Sequence, residues 1–311
     1  MCCPPFFPFS IFHSPFHFPF PISRLAIMRQ FLFLLLSLVF IVSCTNAQNP
    51  KTTDGQQPTV EDTIKQIRAI FEPFIKAENG YIMLAGEAET ADDSRKNMQA
   101  ALAQNRKLHE AIAKYATENK DNDLPVIAIA LNLQSLDSRF IDSLLNTGEK
   151  YTKQPEVYYI RQAMKQMSSY NYLKGKQYKD VVLPDMNGKV RKLSSYIGKN
   201  KLVLLECWAS WCPPCMNAQP LLRANYKAYH NKGFEIVAVS LDYMEEDWKA
   251  TVAEQHLDWI HISDLKRWDS QVVKTYGING IPFNLLIDAK GNILDVNISG
   301  IALAKRLAAL K

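Results

Sequence analysis

The spacing of apolar residues changes several times along this chain, and the changes divide it. Residues 1–27 mix phenylalanine with proline, as in Pro4-Pro5-Phe6-Phe7-Pro8-Phe9, and show no period that would support a helix. Behind Met28 and Arg29 comes an apolar run over residues 31–42, followed by a polar stretch over 45–59 with the turn signals Asn49-Pro50 and Asp54-Gly55. That stretch reads as a flexible tether. From residue 60 to about 172 the apolar positions recur at helical spacing: Ile64, Ile67 and Ile70-Phe71 in one segment, Leu102, Leu108, Ile112 and Tyr115 in another. Further segments over 126–133 and 157–167 complete a mainly α-helical domain, residues 60–175, whose apolar faces are expected to pack on one another and on the C-terminal half.

Beyond residue 176 the pattern becomes short apolar runs cut by turn residues. Val181-Val182-Leu183, the Asn187-Gly188 turn and residues 190–193 predict a hairpin. Lys201-Leu202-Val203-Leu204-Leu205-Glu206 is short and follows Gly198 and Asn200, which suits a buried strand better than a helix. Met216, Leu221, Leu222, Tyr226 and Tyr229 return to helical spacing up to the stop signal Asn231-Lys232-Gly233. Next come a strand from Phe234, a helix over 245–255, an extended piece at Trp259-Ile260-His261, a helix through Val272, strands at Phe283 and Ile293 and a closing helix from Ile301. The predicted fold class for 176–311 is α/β, a mixed central sheet with helices on both faces, preceded by the helical domain.

A length of 311 residues leaves room for both domains, and a content 47% hydrophobic and 22% charged is that of a globular protein. The net charge of +5 comes without a basic stripe interleaved with aromatics, which argues against nucleic acid as a partner. The run ending in Ile41-Val42-Ser43-Cys44 resembles a lipoprotein signal, in which Cys44 is lipidated and becomes the first mature residue. Residues 28–44 then form a lipoprotein-type export signal, and residues 1–27 an extension ahead of the true start at Met28. The competing reading is cleavage after Thr45-Asn46-Ala47, leaving a soluble protein; the run is too short to favour a permanent span. The expected location is the cell envelope or periplasm, anchored to the membrane through lipid on Cys44.

The candidate chemistry lies in Trp211-Cys212-Pro213-Pro214-Cys215. Two cysteines three positions apart at the start of a helix can pass between dithiol and disulfide with little backbone movement. Cys212 is placed at a helix N-terminus, where unpaired N–H groups and the helix dipole favour an anion and lower a thiol's pKa. Pro213 and Pro214 suit the first helical positions, which have little need of a donor. Neither proline can donate to the Cys212 sulfur, and no cation lies between the cysteines, so stabilisation of the thiolate should be moderate. The expectation is a reductant near thioredoxin, at about −270 mV, rather than a strong oxidant at about −120 mV. A zinc half-site would need a second Cys-x-x-Cys or a His pair at finger-like spacing, and the sequence contains neither. No metal is expected. Cys207 reads as a small buried apolar residue, and His230, His256 and His261 as ordinary surface or packing residues.

The stretch from Glu206 through Cys207-Trp208-Ala209-Ser210-Trp211 to Cys215 resembles the active-site segment of thioredoxin-fold proteins. It is most similar to that of the TlpA/ResA-like thiol-disulfide oxidoreductases tethered outside the bacterial inner membrane. Gly277-Ile278-Asn279-Gly280-Ile281-Pro282, with the strand after it, resembles the segment carrying the family's cis-proline loop, and residues 233–242 its next central strand. The likeness runs from about Lys176 to the C-terminus, close to half the chain. It implies that Cys212 is the attacking thiolate, with the more exposed sulfur, and that Cys215 resolves the mixed disulfide from one turn deeper. It also implies that Glu206 relays a proton to Cys215, a carboxyl whose place at the end of an apolar strand should raise its pKa. Pro282, if cis, would hold the Ile281 backbone open beside Cys212 for a client segment, and Trp211 would pack beside the disulfide. No cofactor beyond the Cys212–Cys215 disulfide is implied. The implied partners are disulfide-containing exported proteins, a membrane electron donor, and the membrane itself through the lipid anchor.

Two residues depart from the family pattern: Phe283 stands where threonine is usual, and Cys207 where an aromatic is more common. A helical domain ahead of the redox part also resembles extended family members, in which it is thought to aid partner choice; a scaffold is the plainer reading. Two other functions share the fold. A peroxiredoxin-like peroxidase would need a lone peroxidatic cysteine preceded by threonine and proline, whereas tryptophan and serine precede Cys212. A non-catalytic binding module would carry the disulfide as an inert cross-link.

Overall fold

Threonines begin the helical region. The computed structural model describes residues 58–133 and 135–310; the 1–27 extension, the export signal over 28–44 with Cys44, and nearly all of the 45–59 tether lie outside the described residues. Thr59 caps α1 (Val60–Glu87), accepting from the Asp62 N–H while the Asp62 side chain accepts from the Thr59 N–H. Thr90 does the same for the Asp93 N–H at the start of α2 (Ala91–Glu118). The two helices pack as an antiparallel pair, and α3 (Leu124–Leu131), α4 (Ser138–Leu145) and α5 (Glu156–Met167) complete the region. In α1 the buried stripe runs through Thr63, Ile67, Phe71, Glu78, Ile82 and Ala85. Ile70, expected on the apolar face, is instead 44% exposed, because it stands about 100° around the helix from Phe71.

The helical region feeds two cores. Ile67, Phe71, Leu108, Ile112 and Ile127 belong to one cluster with residues of α4 and α5. Ile82, Ala85, Met98 and Ala101, at the facing ends of α1 and α2, belong to a second cluster shared with the sheet.

The sheet is built around a strand buried at every position. β1 (Val182–Pro184) and β2 (Val190–Lys192) form the antiparallel hairpin, turning through Gly188 at φ +77°. The main sheet contains β3 (Leu202–Trp208), β4 (Phe234–Ser240), β5 (Ile260–Ile262), β6 (Phe283–Asp288) and β7 (Ile293–Val296). Its order is β5-β4-β3-β6-β7, with β3 parallel to β4, β4 parallel to β5, and β6 antiparallel to both β3 and β7. Every residue of β3 and β4 is buried, as strands covered on both faces require. The remaining helices are α6 (Pro213–Tyr229), α7 (Glu245–Glu254), α8 (Gln271–Tyr276) and α9 (Gly300–Leu307).

Two neighbours hold α6. The buried Ser94 hydroxyl, in α2, donates to the Ala85 carbonyl at 2.7 Å with the Ala224 carbonyl in reach at 3.3 Å, and Arg95 Nη1 donates to the Ala228 carbonyl at 2.6 Å. From another side Gly300 comes so close to Leu221 that a Cβ there would lie 2.4 Å from Leu221 Cδ2. Among the described residues no helix is long and apolar enough to cross a membrane.

Candidate active site

Strand β3 ends at Trp208 and the four residues 209–212 lead into α6, so the two cysteines stand where the end of the central strand meets a helix N-terminus. Cys212 is the N-cap, in extended conformation, and Pro213 and Pro214 fill the first two helical positions. Cys212 and Cys215 form a disulfide with their Cα atoms 5.2 Å apart. The Cys215 N–H donates to Cys212 Sγ at 3.3 Å, a donor that the two prolines cannot supply. Cys212 is only 1% exposed and Cys215 is fully buried, so in the oxidised form both cysteines are closed off from solvent. The N-cap position turns the Cys212 side chain inward under the neighbouring loop. There the Ile281 carbonyl oxygen lies 3.8 Å from Cys212 Sγ, and the Ile281–Pro282 peptide bond is cis.

The turn before the cysteines is fixed by a side chain that sequence reasoning missed. Asp242, 1% exposed just beyond β4, accepts from the Ser210 N–H at 3.1 Å, from the Ser210 hydroxyl at 2.6 Å and from the Ser240 hydroxyl at 2.7 Å. The signal available was Ser240-Leu241-Asp242 closing an otherwise apolar strand. Trp211 is half-buried; its ring meets Trp268 at 6.4 Å and lies under the Arg267 guanidinium, 5.7 Å from the ring centroid. Arg267 also covers the exposed Tyr243 ring at 5.9 Å, so a cation sits between two aromatics beside the disulfide.

Glu206 is 2% exposed on β3, and burial pushes its carboxyl up to about 8. Gln219 Nε2 donates to Oε1 at 3.4 Å, and Oε2 has no hydrogen-bond partner among the described residues. Gln219 follows Cys215 by four positions and so shares its face of α6, a spacing that sequence reasoning left unused. Cys207 is fully buried, and burial pushes its thiol well up. His261 packs between Trp208 and Trp259, with Nε2 3.1 Å from the Leu257 carbonyl, and burial pushes it down to about 4.

A thioredoxin-like family model matches residues 200–293, which hold β3, α6, β4 and the Pro282 loop. The ResA thiol-disulfide oxidoreductase of Bacillus thuringiensis is 32% identical over 120 residues, 39% of this chain and 66% of that protein. ResA of Halalkalibacterium halodurans is 31% identical over 126 residues, 40% of this chain and 69% of that protein. The chain belongs to the ResA thiol-disulfide oxidoreductase family. The ResA-like half is a thioredoxin-like fold, and the helical region precedes it. Matches to ResA span about two thirds of the relatives' length. Among solved structures, a thiol-disulfide oxidoreductase from Bacteroides fragilis is 33% identical, covering 44% of this chain and 100% of that one with a TM-score of 0.41. The thioredoxin domain of a thiol-disulfide oxidoreductase from Bacteroides vulgatus is 30% identical, covering 43% and 95%, also with a TM-score of 0.41.

Proposed function

We propose that this chain reduces disulfides in exported proteins by cycling Cys212 and Cys215 between dithiol and disulfide. The observation that carries the reading is the setting of Cys212 Sγ: at a helix N-terminus, under the Cys215 N–H, beside an open backbone carbonyl at Ile281. The helix N-terminus and the Cys215 N–H stabilise a thiolate, which is the attacking form, while the Ile281 carbonyl is an acceptor for a client N–H. Cys212 attacks a client disulfide, forming a Cys212–client bond and releasing one client thiolate. Cys215 then gives up its proton and attacks Cys212 Sγ, closing the intramolecular disulfide and releasing the second client thiolate. Two electrons pass from the dithiol to the client.

Glu206 is the acceptor of the Cys215 proton in this scheme. A carboxyl at about 8 is ionised in part near neutral pH, and that form can take a proton from a thiol. An inert cross-link would have no use for a buried carboxyl with an unpartnered oxygen, which favours exchange over a binding module. The client's backbone pairs beside Ile281, and Trp211 with Arg267 flanks the same opening.

The test is reduction of insulin by dithiothreitol with and without the protein. The wild type should accelerate it, Cys212→Ser should not, and Cys215→Ala should accumulate a mixed disulfide; equal rates with and without wild type would end the proposal. The anchor belongs to the same reading. We place the chain in the cell envelope, held to the membrane through lipid on Cys44 and recharged by a membrane electron donor. Cys44→Ser should move the protein from the membrane fraction to the soluble one, and unchanged fractionation would remove the anchor.

A further inference from the structure

The loop that faces the disulfide is held from outside the thioredoxin-like fold. Tyr170 lies between α5 and β1, in the connection from the helical region, and is 8% exposed. Its hydroxyl accepts from the Asn279 N–H at 2.8 Å and donates to Asn279 Oδ1 at 2.6 Å, with the Gly277 carbonyl at 3.4 Å. Its ring meets Phe283 edge to face, centroids 5.0 Å apart. One side chain therefore holds residues 277–283 near both ends, and Ile281, whose carbonyl approaches Cys212 Sγ, lies between the two holds. Phe283 is itself enclosed, fully buried opposite Cys207 and near the Tyr276 ring. The ring contact thus bears on a fixed wall while the hydroxyl bears on the loop backbone. Burial also pushes the Tyr170 phenol up, so it stays a donor through the physiological range.

We propose that Tyr170 is a positioning residue for client binding: by holding Asn279 it fixes the Ile281 backbone at the place where a client segment pairs. The inference rests on the exchange reading above and deepens it, because it gives the connection from the helical region a part in client capture. A client with a peptide backbone uses the Ile281 edge; a small disulfide reaches the sulfur without it. Removing the Tyr170 hydroxyl should therefore weaken the first reaction and spare the second.

The experiment compares wild type and Tyr170→Phe, which keeps the ring against Phe283, on insulin and on 2-hydroxyethyl disulfide. For insulin, kcat/KM should fall about fivefold through a higher KM, the effect of losing one net hydrogen bond. The rate with 2-hydroxyethyl disulfide and the Cys212–Cys215 potential should not change. Asn279→Ala, which removes Oδ1 but keeps the Asn279 N–H that donates to the Tyr170 hydroxyl, should raise KM by less, and the double variant should be no worse than Tyr170→Phe, since that change already removes both bonds. Parallel losses on both disulfides, unchanged insulin kinetics, or additive effects in the double variant would each overturn the inference while leaving the exchange reading intact. A wild type inert toward both disulfides would instead sink the exchange reading, and the inference with it.

Discussion

Glu206 and His261 are both buried, and burial disfavours the charged form of each, but they pull stability in opposite directions as pH changes. The Glu206 carboxyl is raised from 4.5 to about 8, so its contribution is full below 4.5 and is lost as pH rises toward 8. The His261 ring is lowered from 6.5 to about 4, so its contribution is full above 6.5 and is lost as pH falls toward 4. Between 4.5 and 6.5 the unfolded chain loses one proton at Glu206 and gains one at His261, so the two effects cancel. Above 6.5 only Glu206 acts, and the oxidised wild type should lose about 2 kcal/mol by pH 8, at roughly 1.4 kcal/mol per unit. Urea midpoints at pH 6.5 and 8 check this: Glu206→Gln, neutral at both, should lack the fall, and an equal fall in wild type and variant would mean that Glu206 is not the group responsible. Glu206 was legible because it ends an apolar run shortly ahead of the cysteines. Gln219, Asp242 and Tyr170 were not, since an isolated polar residue in a helix, a strand end or a linker reads as solvent-facing until the partner that buries it is placed.

At the scale of elements, local chemistry was the most legible. The Asn187-Gly188 turn, the unbroken apolar run of β3 and the proline pair opening α6 each carry their structure within a few residues. What spacing alone leaves open is which neighbour an element meets. Cys207 and Phe283, each unusual for the family, turn out to be directly opposed across the β3–β6 ladder. A small side chain thus faces a large one, and both are fully buried. Periodicity failed at Ile70 for a related reason: the buried stripe of α1 is set by what α2 covers, and one apolar residue falls outside it.

Over the whole molecule, the facing ends of α1 and α2 are part of the core of the sheet, not a separate lid. All five tryptophans lie between positions 208 and 268, so their fluorescence reports the thioredoxin-like half alone, while far-ultraviolet dichroism is weighted toward the helices. Met98 is fully buried in the shared cluster, and Met98→Ala should cost about 2–5 kcal/mol. That loss should appear in tryptophan-detected unfolding as well as in dichroism, with the two transitions still coincident; a fluorescence transition left in place would show that the halves unfold independently. Length and pattern suggest two units in contact, but a contact through Ser94, Arg95 and the Met98 cluster needs the distance between them to be seen. The sealed position of Cys207 has a consequence for turnover. Residues 58–310 hold three sulfurs of cysteine, and a competing thiol beside an exchange site could capture the client or scramble the bond. With Cys207 closed off beneath Phe283 and kept protonated, each encounter has one outcome, and the count of electrons delivered per cycle stays at two.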